Sequence, residues 1–154
     1  MRSSTVQYVH YILSLDIPQV QALAGCDPLE VAVIFDHVQA VQSLNKRFRG
    51  KDAPTNVLSF PADLDAPLPD QQLCVLGDII LAYEVIVQEA EEQGKAFIHH
   101  AAHMIIHGLL HLLGYDHMVE ADADMMEQLE KDILAHFMID DPYVLPQHDT
   151  DMMA

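Results

Sequence analysis

Apolar and polar positions recur along this chain with two different periods, and the changes of period divide it into elements. Residues 5 to 15 are apolar with some alternation and read as a first strand, although the same run also suits the start of a helix. Asp16-Ile17-Pro18 then opens a short helix, because proline fits an early helical position; it runs to about Ala24 and Gly25 ends it. Glu30 to Phe35 is continuous and β-branched, which predicts a strand. Asp36 stands where it can cap a helix from 37 to about 48, in which Val38, Val41, Leu44 and Phe48 recur on one face, and Gly50 closes it. Lys51 to Asn56 has the chemistry of a loop. Val57 to Phe60 is a short strand stopped by Pro61, and residues 61 to 72, rich in proline and aspartate, form a surface loop. Cys74 to Ala82 predicts a further strand, with Gly77 where another backbone can approach closely. Three helices follow: an acidic amphipathic one at 83 to 93 ended by Gly94, an apolar one set with histidines at 97 to 113, and one at 120 to 137. Asp140 to Ala154 has two prolines and little periodicity, as expected of a partly ordered tail.

Strands come early and most helices late, which is the order of an α+β fold. The expected architecture is a small mixed sheet packed against helices. The apolar histidine helix is its central element, with one face on the sheet and the other open to a cleft. The chain of 154 residues is expected to form a single domain, 1–154, with a core of its own. Hydrophobic residues make up 51% of it, which excludes disorder. No apolar run reaches the length of a membrane span, and Met1 to Thr5 lacks the apolar segment of a signal peptide. The expected compartment is therefore the cytoplasm, with Cys26 and Cys74 as reduced, buried thiols in no metal-binding spacing.

Charge changes the picture in one place. The formal net charge is −17, which taken alone argues against nucleic acid. Yet of seven Lys and Arg residues, Lys46, Arg47, Arg49 and Lys51 fall within six positions. A basic spot on an acidic body can still meet phosphate while the remaining surface repels off-target RNA. The other reading is a solvated helix end whose cations complement the helix dipole.

The candidate chemistry lies in H-G-L-L-H-L-L-G-Y-D-H, residues 107 to 117. His107 and His111 share one helix face, one turn apart. Gly114 can take the left-handed conformation that ends a helix, so the chain can turn back and bring His117 alongside. Three neutral imidazoles leave the fourth position of a tetrahedral Zn²⁺ open, as catalytic rather than closed structural sites do. With 10 histidines in 154 residues, such a triplet is expected by chance roughly 0.04 times. A histidine-rich helix with no metal is the alternative, but this otherwise apolar helix gains little from three unpaired imidazoles. The spacing also resembles that of the metzincin proteases, H-E-x-x-H-x-x-G-x-x-H, except that Gly108 stands where their basic glutamate would be. The ligand geometry survives that change and the proteolytic base does not, so no peptide substrate is expected. Met104, Met125 and Met126 are read as core filler rather than a metzincin Met-turn. His99 and His103 extend the same row and are read first as hydrogen-bonded core or rim residues. Ser59 and Thr55 are read first as hydrogen-bonders of strand and loop and second as phosphate contacts, and Asp116 first as a turn residue or a hydrogen-bond partner behind the metal ligands and second as the general base.

Taken together, F-R-G-K-D-A-P-T-N-V-L-S-F-P (48 to 61), L-G-D-I (76 to 79) and the histidine motif resemble the bacterial YbeY family. The resemblance continues in Met126-Glu127-Gln128-Leu129-Glu130 and Asp141-Pro142-Tyr143, so it runs from about residue 30 to 143, and the first thirty residues depart from the family's pattern. It implies a zinc-dependent endoribonuclease specific for single-stranded segments, acting in ribosomal RNA maturation and ribosome quality control, with the ribosome and its RNA as partners. It also implies that His107, His111 and His117 hold one Zn²⁺ and that Arg49 is the functional arginine near the metal. Zn²⁺ held by neutral ligands keeps its full charge, which suits it to a phosphodiester, and the Arg49 fork can clamp the charge that gathers in the transition state. The rival expectation is a ribosome-associated binding module whose zinc is structural.

Overall fold

The computed structural model describes residues 2–21, 23, 29–62, 74–115 and 120–143. Three of the four predicted strands pair in one sheet, with β1 (Leu29–Asp36) and β2 (Val57–Pro61) at its edges and β3 (Cys74–Ala82) between them. β3 runs parallel to β1, with Phe35 opposite Leu81, and antiparallel to β2, with Ser59 opposite Ile79. The sheet is therefore mixed, as expected. Gly77 has φ of +146°, and a Cβ there would overlap the Phe60 carbonyl oxygen, so the close backbone approach read from the sequence is that of β2.

Six helices accompany the sheet among the described residues: α1 (Arg2–Leu13), α2 (Pro18–Gln21), α3 (Val38–Arg49), α4 (Tyr83–Gln93), α5 (Phe97–Leu112) and α6 (Glu120–His136). Gly50 and Gly94 end α3 and α4 in the left-handed conformation, at φ of 72° and 66°. α5 packs on the sheet and is flanked by α1, α4 and α6. Ile79 and Leu81 of β3 meet Ile105, Ile106, Leu109 and Leu110 of α5 in the main core, and α6 adds Met126, Ile133 and Leu134.

Two local expectations are corrected. Residues 5 to 15 do not form a strand; they lie mostly in α1. Tyr8 and Ile12, one turn apart, are buried, and Tyr8 meets Phe137 edge-to-face at 4.9 Å. The helical period wins because those two positions face the core. Asp36 does not cap α3 either. It ends β1 and accepts the His37 amide at 2.7 Å, while the Glu84 carboxylate at the start of α4 accepts the Val38 amide at 3.1 Å. The cap thus comes from a residue 46 positions away, and that amide holds the Glu84 carboxyl below its usual range.

Gly25, Cys26, most of the 61–72 loop and the tail beyond 143 lie outside the described residues. The start of the tail is tied down: Lys95 Nζ donates to the Pro142 carbonyl at 2.9 Å and the Tyr143 hydroxyl donates to Glu130. None of the described helices is long and apolar enough to cross a membrane.

Candidate metal centre

From His100 to Leu112 every residue of α5 is buried except His107 and His111. A helix buried nearly all round keeps one window, and the two histidines occupy it. The helix ends in a Schellman motif. The Gly114 amide donates to the His111 carbonyl at 2.9 Å, and the Tyr115 amide to the Leu110 carbonyl at 3.2 Å. Gly114 supplies the positive φ, +108°, and Tyr115 is buried behind it. This turn brings the Tyr115 carbonyl back over the last histidine.

That carbonyl fixes the His111 ring. It can only accept, so His111 Nδ1, at 2.8 Å, carries the proton and Nε2 has the lone pair. His107 is fixed in the same way, its Nδ1 donating to the Glu130 carboxylate. The two Nε2 atoms then face each other at 3.1 Å. Two lone pairs approach so closely with profit only when a proton or a metal ion lies between them. A histidine that binds zinc through Nε2 commonly donates Nδ1–H to a carboxylate or carbonyl, so this donor set fits Zn²⁺. His117 and Asp116 lie outside the described residues, and among the described residues no cluster of three or more metal-ligating side chains assembles.

Glu130 was missed as a site residue by sequence reasoning. It is fully buried and accepts from His107, from His103 Nε2 at 3.2 Å and from the Tyr143 hydroxyl. Burial pushes its carboxyl up, but these three hydrogen bonds together outweigh it and hold the group down at about 2. Tyr143 is pushed well above the ordinary tyrosine range by burial of its hydroxyl and by Glu130, so it stays a donor. A signal was present in the sequence: Glu130 lies on the same stripe of α6 as Met126, Ile133 and Leu134, and a lone charge on an apolar stripe needs a partner.

The other candidates sort themselves by position. Gly108 faces the sheet, not the window. A Cβ there would lie 2.9 Å from Ile79 Cγ2 and 3.1 Å from Ser59 Oγ, so a glutamate does not fit. Ser59 is buried and donates to the Gly108 carbonyl at 3.3 Å, the strand role expected of it. Arg49 Nη2 donates to the Ser59 carbonyl at 3.5 Å, so the arginine docks on the strand that touches α5 beside His107. His103 is a buried hydrogen-bonded residue, and so is His100, which meets Glu89 at 2.9 Å. Burial lowers the His100 pKa against the opposing pull of Glu89. These two line a separate cavity of about 350 Å³ with Asn56, Lys95 and Tyr143; neither His107 nor His111 borders it. Met104 and Met126 are core residues, whereas Met125 is exposed.

The family profile described as Endoribonuclease YbeY matches residues 3–138. The chain belongs to the YbeY family. The endoribonuclease YbeY of Chromohalobacter salexigens is 53% identical over 117 residues, covering 76% of this chain and 74% of that protein. The endoribonuclease YbeY of Alteromonas mediterranea is 46% identical over 142 residues, covering 86% and 88%. A solution structure of a Thermotoga maritima protein shares the fold, with a TM-score of 0.53 at 23% identity over 88% of this chain and 83% of that one. The YbeY profile match begins at residue 3, so its span takes in the N-terminal segment as well.

Proposed function

We propose that this chain is a zinc-dependent endoribonuclease that cuts single-stranded segments of ribosomal RNA in the cytoplasm, in ribosomal RNA maturation and ribosome quality control. The observation that carries the reading is the pair of Nε2 atoms 3.1 Å apart, part-exposed within the otherwise buried stretch 100–112 of α5, with both Nδ1 atoms committed to acceptors. His107, His111 and His117 would hold the ion, which supplies Lewis acidity toward a phosphodiester. Both described histidines are part-exposed, so a substrate can reach them, which favours catalysis over a purely structural site. Arg49 offers its guanidinium to the phosphate as charge develops there. Membership in a family named for endoribonuclease activity supports RNA as the substrate.

The test is zinc content together with cleavage of a defined ribosomal RNA fragment. His111→Ala is expected to lose both, and chelator-treated wild type to lose cleavage while the fold persists. Undiminished cleavage by zinc-free protein would overturn the reading. Unfolding on chelation, with no cleavage by the metal-loaded protein, would show a binding module with structural zinc instead.

A further inference from the structure

Phe48 departs from its helix pattern. The spacing of Val38, Val41, Leu44 and Phe48 reads it as a core residue, yet it is 57% exposed while Val41 is fully buried. Its ring stands at 67° to that of Phe60, centroids 5.3 Å apart, a contact that orients Phe48 without covering it. The Arg47 guanidinium lies over the ring, 5.1 Å from the centroid. Arg49 reaches the Ser59 carbonyl, two residues before Pro61 on the same β2 strand that carries Phe60. Four of the chain's seven Lys and Arg residues lie between positions 46 and 51 on a molecule of net charge −17. The densest cationic segment therefore carries a half-exposed aromatic ring, with Arg47 on its face.

We propose that Phe48, between Arg47 and Arg49, is a base-stacking subsite for single-stranded RNA; this rests on the ribonuclease reading above. A guanidinium and a nucleobase both lie flat on an aromatic ring, so a ring that takes the first is shaped for the second. The flanking cations meet the phosphates on either side of the stacked base. Paired bases hide their faces inside a duplex, so the subsite selects unpaired segments. Phe60 and Ser59 are consecutive on the edge strand β2 and point to opposite faces of the sheet, Phe60 towards Phe48 and Ser59 towards Gly108 beside His107, so an RNA strand bound at both places would cross the β2 edge.

The chain contains no tryptophan, so Phe48→Trp places a single indole at the subsite. A 2′-O-methylated single strand of about ten nucleotides, which resists cleavage, should quench that indole, whereas a duplex and inorganic polyphosphate should not. Phe48→Ala should weaken binding of the single strand roughly five- to a hundredfold with an unchanged salt slope, while Phe48→Tyr stays within about threefold of wild type. Arg47→Ala should instead flatten the salt slope. Circular dichroism and zinc content of each variant should match wild type. Equal affinity of wild type and Phe48→Ala, or quenching by polyphosphate as strong as by the single strand, would overturn the subsite while leaving the ribonuclease reading intact. A wild type that neither binds nor cleaves RNA would overturn both.

Discussion

Glu130 gathers three donors, from His103, His107 and Tyr143, around one carboxylate. Glu130→Gln replaces one acceptor oxygen with an amide that faces donors, so the His107 ring loses its anchor. Zinc affinity is expected to fall about 10- to 100-fold, measured by competition with a chromophoric chelator. The same residue sets an acid response. Its carboxyl lies near 2 in the folded protein, below the ordinary value of 4.5. Its contribution is thus complete above pH 4.5 and lost as the pH falls from 4.5 towards 2. Urea midpoints of chelator-treated protein should decline through that window, and less steeply in Glu130→Gln. At Gly108, restoring the metzincin pattern has a different outcome. Gly108→Glu drives a carboxylate against Ile79 and Ser59. It should destabilise the fold by about 2–5 kcal/mol in denaturant titrations and yield no peptidase.

At the scale of elements, the end of α5 couples backbone conformation to the orientation of the His111 ring. No described residue comes within 4 Å of a Cβ built at Gly114, so among the described residues the obstacle to a side chain there is its φ of +108°. Gly114→Ala is expected to cost about 1–2 kcal/mol. It should also weaken zinc binding, because the Tyr115 carbonyl that holds His111 moves with the turn; thermal melting and chelator competition together read both effects. This turn was legible from His111, Gly114 and the periodicity before them, because a Schellman motif is built from residues close in sequence. The strands β1 and β3 and the helix α5 were legible for the same reason. What escaped is non-local. Alternation over residues 5 to 15 suggested a strand, and only packing of Tyr8 and Ile12 against the core settles a helix. The Glu84 cap and the Glu130 anchor come from residues 46 and 23 positions from their partners Val38 and His107, a distance across which no local pattern reports.

Across the whole molecule, the charge distribution limits how RNA can be held. With 24 acidic residues against seven basic ones, the proposed phosphate contacts fall to the cluster Lys46, Arg47, Arg49 and Lys51. Four contacts to a single strand predict a slope of log K against log salt no steeper than about −3, read by fluorescence anisotropy. Charge reversal at Arg49 should flatten it further. The sheet order carries a separate consequence. β3 is the centre of the sheet but the last of its strands in the chain, and the two edges do not pair with each other. During synthesis from the N-terminus, β1 and β2 emerge without a hydrogen-bonding mate, and both wait for residues 74 to 82. Nascent chains halted before that stretch should therefore lack the sheet entirely, and a protease pulse on stalled intermediates would find the outer strands cut until the middle one arrives.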